Sequence, residues 1–202
     1  MKDLFSKTLI KFSLSEIQIN NFWEILDQNY SKKNRHYHNW QHVQQMISLW
    51  EVHKLEFENP VEVLLAIFYH DAIYKVTRKD NEAKSAAMAL NHLKNVKNLD
   101  LENIKKLILA TQFHIAKTND EKWLVDFDLH ILGSNWEDYE LYAQNVRKEY
   151  AIYPDFLYTP GRKKALKHFL EKEFIFQTEE FREKYEENAR RNILKEISEL
   201  AN

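Results

Sequence analysis

The sequence predicts an all-α fold, a single helical domain of about nine helices, and three observations predict it. Apolar residues recur at helical spacing along nearly the whole chain. Only two glycines and three prolines occur among 202 residues, so few positions suit the tight turns of a β-rich fold. No repeat, low-complexity tract or Gly/Ser/Pro linker interrupts the pattern. The length suits one domain with a substantial core. The expected organisation is residues 1–202 as one unit, with a functional core over about 35–132 and C-terminal helices over 135–202 packed on it.

Each element has its own signals. Ser13 followed by Glu16 predicts a capping box opening a helix that turns Ile17, Phe22, Trp23 and Leu26 inward. A second helix is expected from between Tyr37 and Asn39 to about Leu55, with Val43, Met46, Ile47 and Trp50 as its apolar stripe. Asn59-Pro60 is a strong start, with asparagine capping, proline in the first turn and Glu62 beside them. The helix that follows is apolar nearly all round and ends near His70-Asp71, which places it at the centre of the fold. Asp80 and Asp100 each predict a capped helix. Lys122 to Leu132 is expected to be short and closed by Gly133. Asn135 to Tyr150, Thr159-Pro160 to Leu170 and a helix from Thr178 complete the chain.

Composition excludes several functions. The formal charge of −2 lacks the basic excess of nucleic-acid or membrane-surface proteins. Absence of cysteine excludes disulfides, thiolate zinc sites and cysteine nucleophiles. The N-terminal MKDLFSKTLIKFSLSE does not read as a signal peptide. The most apolar run, VEVLLAIFY, is too short to span a bilayer and carries Glu62. A soluble cytoplasmic protein with no membrane or nucleic-acid partner is expected.

Three polar groupings stand out. RHYHNWQH, Arg35 to His42, holds three of the nine histidines. On a helix, His38 and His42 share one face, which suits a common metal, a ligand beside a substrate-facing group, or a hydrogen-bonded core residue next to an exposed one. His70-Asp71 closes the most apolar helix, where polar groups are costly unless paired. A divalent cation satisfies both, and an ordinary polar helix terminus is the alternative. In DFDLH, Asp128 shares a helix face with Leu124 and Ile131, which turns it inward, whereas Asp126 lies elsewhere on the wheel. A salt bridge or a metal then has to satisfy Asp128. Together these segments offer mixed nitrogen and oxygen ligands suited to manganese, iron, cobalt, nickel or zinc, with magnesium also admissible. One or two such ions make water acidic enough for hydrolysis near neutral pH.

In this order, His42, His70-Asp71 and Asp128 resemble the H…HD…D signature of the HD-domain superfamily of metal-dependent phosphohydrolases. RHYHNWQHV, LAIFYHDAIY, NEAKSA, DFDLHILG, VRKEY and ARRNIL are similar to a bacterial group described as predicted phosphohydrolases of that superfamily. The resemblance implies an all-α HD-type domain, a divalent metal held by His42, His70, Asp71 and Asp128, and hydrolysis of a phosphate ester or anhydride. The implied substrate is a small phosphorylated molecule, with nucleotides among the candidates. YHNWQH also resembles Y-H-N-x-x-H of class I cyclic-nucleotide phosphodiesterases. That likeness implies His42 as ligand and His38 as general acid, and His36 has no matched role. Val43 stands where those enzymes carry alanine, and their downstream Ala-x-Asp-Val is missing, so cyclic-nucleotide specificity does not carry over.

Further residues follow from the same reading. Asp126 becomes a neighbour of the ligands or an alternative ligand. His114, at the end of its helix, is a candidate for a second metal or for phosphate. Glu82 either orients water or is an ordinary first-turn acid. Arg35, Lys75, Arg78 and Arg147 are the candidate phosphate contacts, whereas Arg190, Arg191 and Lys195 read as a solvated face. Tyr37, Phe68, Tyr69 and Tyr74 read as packing, with a nucleobase stack as the functional alternative. Two other functions share the ligand set: a di-iron oxygenase of HD fold, and a non-catalytic nucleotide-binding module.

Overall fold

The computed structural model describes residues 1–200, and all the regular secondary structure among them is helical. Ten α-helices are present: α1 Lys2–Ile10, α2 Glu16–Tyr30, α3 Trp40–His53, α4 Pro60–Tyr69, α5 Asn81–Leu93, α6 Leu101–Phe113, α7 Asn119–Leu129, α8 Trp136–Glu149, α9 Asp155–Leu170 and α10 Glu179–Glu199. A 3₁₀ turn, His130–Gly133, follows α7 directly. The backbone divides within α7 into two compact units, Met1–Leu124 and a second from Val125 onward.

In the first unit α4 is the central element. It packs against α1, α3, α5 and α6, and every residue from Val63 to Tyr69 is buried. Its start is not capped by Asn59 as expected. The Asn59 side chain instead donates to Asp120, whose carboxylate also accepts from the backbone N–H groups of Glu58 and Asn59. Asp120 thus satisfies the donors that precede the helix. An aromatic wall lies against the other end of α4. Phe5 meets Phe68 edge-on at 5.1 Å, Trp23 stacks on Trp40 at 4.7 Å, and the Tyr30 hydroxyl donates to the Phe68 carbonyl.

The N-terminal segment departs from expectation. Residues 2–10 form α1, with Phe5 and Leu9 fully buried. Two apolar residues at i and i+4 suffice for one buried stripe on a short helix, and that pattern was too brief to register in the sequence. The capping box is Ser15 with Gln18, not Ser13 with Glu16. Ser13 takes a left-handed conformation (φ 62°) between the two helices. The shifted start rotates Ile17 out to 74% exposure, and Ile19, Leu26 and Tyr30 face the core.

In the second unit α10 packs against the 3₁₀ turn, α8 and α9. Thr178 caps α10 as expected. Gly133 closes its segment for a different reason than a left-handed cap, since no glycine has positive φ. A Cβ there would lie 2.5 Å from the Cβ and 2.7 Å from the carbonyl oxygen of Tyr185, so glycine permits the close approach of α10. Helix α9 starts at Asp155, not at Thr159-Pro160, and Pro160 lies inside it. The proline removes the donor for the Phe156 carbonyl. Both residues are exposed, so water can replace it. Arg190 is not merely solvated: it donates to the carbonyls of Leu170, Lys172 and Glu173 and pairs with Glu186, closing the C-terminal end of α9.

Among the described residues no helix is long and apolar enough to cross a membrane.

Candidate metal centre

His42 lies in the first turn of α3, which Asn39 caps by accepting from the Gln41 N–H. His70 follows the last residue of α4 and is its C-cap, and Asp71 is next in the chain. At this helix end the two adjacent side chains are released from the 100° separation of mid-helix neighbours. They converge with His42. One ligand atom from each of the three residues lies within 4.8 Å of the others, and all three residues are buried.

The donor set fits a divalent metal ion. His70 Nδ1 is 2.9 Å from the Ile67 carbonyl oxygen, an acceptor, so Nδ1 carries the proton and Nε2 presents its lone pair. That Nε2 is 3.2 Å from His42 Nε2 and 3.4 Å from Asp71 Oδ2. Metal–ligand bonds of about 2.0–2.2 Å place neighbouring donors about 2.9–3.5 Å apart, so both separations match edges of one coordination shell. Two imidazole nitrogens and a carboxylate in a buried pocket suit a borderline transition metal better than magnesium. The group can hold such an ion.

The backbone around the pair is held from two sides. Arg35 is 5% exposed and donates to the carbonyls of Asp71 (2.6 Å), Ala72 (3.0 Å) and His38 (3.0 Å). Its guanidinium also lies over the rings of Tyr30 and Tyr74. A cation at the end of α4 satisfies orphan carbonyls and suits the negative end of the dipole. From the other side, Ser85 Oγ accepts from the Ile73 N–H, and Asn81 pairs with both backbone groups of Lys75. This explains NEAKSA: Asn81 and Ser85 lie one turn apart on α5 and brace the loop after Asp71. Two short polar residues at i, i+4 in an alanine-rich helix are a signal that sequence reasoning passed over.

His38 does not share a helix face with His42. It lies in the turn before Asn39, and its ring centroid is 6.1 Å from that of His42. It stacks on Tyr74 at 4.1 Å and meets Tyr37 edge-on at 5.0 Å. His38 is half-buried, unlike the fully enclosed His42 and His70. Phe68 and Tyr69 are fully buried packing residues, which leaves Tyr37 and Tyr74 as the aromatics beside the histidines.

The other expected site residues are placed as follows. His114 is the C-cap of α6 in a left-handed conformation (φ 52°). Glu82 is a half-buried first-turn residue of α5. Arg78 makes a bidentate pair with Asp80, at 2.7 and 2.8 Å, so Asp80 pairs with Arg78 in place of capping α5. Lys75 is exposed. Asp126, Asp128 and Arg147 belong to the second unit. There the expected orientations reverse: Asp126 is fully buried and Asp128 half-buried. The Asp126 carboxylate accepts from the N–H groups of Gln177 and Thr178 and from the Thr178 hydroxyl, at 2.6–2.7 Å, and anchors the start of α10. Burial pushes its pKa up to about 6, against those hydrogen bonds, which favour the ionised form. Arg147 bonds Asp155 and the carbonyls of Tyr150 and Tyr153.

No family model, curated protein or solved structure matches the chain.

Proposed function

We propose that this chain is a metal-dependent phosphohydrolase of HD type, acting on a phosphate ester or anhydride of a small molecule. The observation that supports it most is the convergence of His42, His70 and Asp71, buried and at coordination-shell spacing, from two segments 28 residues apart. The order of these residues and their resemblance to the H…HD…D signature supply the reaction class. The resemblance names Asp128 as a further ligand; the three-residue cluster carries the reading without it.

When bound, a divalent ion here supplies Lewis-acid polarisation and acidifies water. The chain's own residues do the rest. Asp71 brings the one negative charge of the cluster, and His70 is locked in the tautomer that leaves Nε2 to coordinate. Arg35 fixes the backbone of Asp71 and Ala72 through its two terminal nitrogens. His38, half-buried beside the cluster and oriented by Tyr74, holds a proton within reach of a departing oxygen.

Metal analysis of purified protein, followed by a phosphatase and phosphodiesterase substrate panel, tests the reading. Asp71→Asn is expected to lose bound metal and turnover while keeping its helical circular dichroism. Full hydrolysis by the Asp71 variant overturns the mechanism.

A further inference from the structure

The contacts that hold the metal cluster leave α5 out. His42 is carried by α3, His70 Nδ1 is held by the Ile67 carbonyl, and the Asp71 backbone is held by Arg35. Yet two side chains of α5 are committed to the loop that follows. Ser85 Oγ accepts from the Ile73 N–H at 2.9 Å and donates to the Ile73 carbonyl at 3.3 Å. Asn81 does the same at Lys75, accepting from its N–H and donating to its carbonyl, both at 3.1 Å. Four hydrogen bonds thus fix the backbone on either side of one residue, Tyr74. Asn81 and Ser85 are themselves buried, where such bonds are shielded from competing water. The Tyr74 ring lies on the His38 imidazole, with centroids 4.1 Å apart and planes inclined by 25°. Tyr37 meets the same imidazole edge-on at 5.0 Å, and Arg35 donates to the His38 carbonyl.

We infer that Tyr74 is a positioning residue, which Asn81 and Ser85 hold against His38 so that the imidazole keeps one orientation for proton transfer. The inference rests on the phosphohydrolase reading, in which His38 gives up a proton, and adds the residues that aim it. In that step the attacking water's oxygen bonds to phosphorus and the ester P–O bond breaks. Its electron pair leaves with the ester oxygen, which takes the His38 proton. Solvent receives the proton that the attacking water sheds and reprotonates the imidazole. A half-buried imidazole free to pivot is seldom aligned with the departing oxygen, and a misplacement of about 1 Å can cost about 10²-fold. Stacking on a ring whose own backbone is pinned on both sides removes the pivot. Packing alone gives no reason for this arrangement. Tyr74 is half-buried, and buried polar side chains such as Asn81 and Ser85 are costly unless their bonds are made. What those bonds fix is the stretch of backbone from which Tyr74 reaches His38.

The test uses the full-length protein loaded with zinc, which is diamagnetic. Tyr74→Leu is expected to keep metal content and KM and to lower kcat. A proton donor matters most to a poor leaving group, so the loss is expected to be about tenfold or more on phenyl phosphate and clearly smaller on p-nitrophenyl phosphate. Tyr74→Phe keeps the ring and is expected to restore kcat to within about twofold of wild type. In a His38→Gln background Tyr74→Leu is expected to add little, because the imidazole it acts through is gone. Loss of metal in Tyr74→Leu, equal losses on the two esters, or full additivity with His38→Gln overturns the assignment. A second readout needs no turnover: the NMR signals of the His38 carbon-bound ring protons, which a stacked ring moves upfield. The double variant Asn81→Ala/Ser85→Ala is expected to relax them toward their position in Tyr74→Leu, with the His70 signals in place. If the double variant unfolds, Asn81→Ala alone is expected to move them in the same direction. His38 signals that ignore the loss of the brace overturn the inference. Signals that follow the brace, in a protein that hydrolyses neither ester, uphold the positioning and sink the hydrolase reading. Hydrolysis of both esters that Tyr74→Leu leaves unaltered does the reverse.

Discussion

Arg35 donates to the carbonyl oxygen of Asp71 at 2.6 Å, across 36 residues of chain. The bond joins the turn that carries His38 to the helix end that carries His70 and Asp71. An arginine next to a histidine cluster reads from sequence as a phosphate contact. In the fold it is a strut, and that distinction is measurable.

Arg35→Lys keeps the charge and loses the planar fork that reaches three carbonyls. Buried acceptors left without donors cost about 1–3 kcal/mol. The variant is therefore expected to unfold at lower denaturant concentration, by about 2 kcal/mol or more, and to retain metal poorly. A normal unfolding midpoint with only KM raised would instead mark Arg35 as a substrate contact.

His38→Gln should separate metal binding from turnover. His38 stands outside the coordinating group, so metal content is expected to equal wild type. General acid catalysis contributes about 10²–10⁴-fold, and kcat is expected to fall by that order. Loss of metal in this variant would show that His38 is a ligand and not a proton donor.

Asp126 predicts a pH dependence of unusual sign. Its carboxyl pKa is raised from 3.8 to about 6 by burial, so the folded state binds the proton more tightly than the unfolded one. This group's contribution to stability is then fully present below about pH 4 and is lost as pH rises through about 6. A shift of this size corresponds to a few kcal/mol, on the order of 3. A carboxyl-carbon NMR titration of Asp126 is expected to show a midpoint near 6; a midpoint near 4 would mean that the three hydrogen bonds outweigh desolvation.

Gly133→Ala places a methyl group 2.5 Å from Tyr185 Cβ and 2.7 Å from its carbonyl oxygen. Backbone cannot move aside as a flexible side chain can, so the 3₁₀ turn and α10 must separate. Overpacking of this kind costs about 1–3 kcal/mol. Gly161→Ala is the matched control, because nothing lies within 4 Å of its Cβ position. It is expected to be neutral or mildly stabilising through its helical propensity, and chemical denaturation of the two variants compares them directly.

Sequence by itself determined the helices, and it marked His42, His70 and Asp71 as polar groups placed where apolar residues dominate. Both are local properties. Apolar spacing repeats every few residues, and a histidine-aspartate pair at the end of VEVLLAIFY is conspicuous without any fold. The errors at this level were also local: a capping box two residues early, and a proline read as a helix start when α9 runs through it. Tertiary structure alone decided which polar atoms meet. It enclosed Asp126 and left Asp128 half-buried, the reverse of the helical-wheel expectation. It turned Arg35 and NEAKSA into braces and paired Arg78 with Asp80. Such pairings depend on how whole helices pack, and the energy that selects among them comes from burying aromatic and aliphatic surface far from the polar atoms concerned.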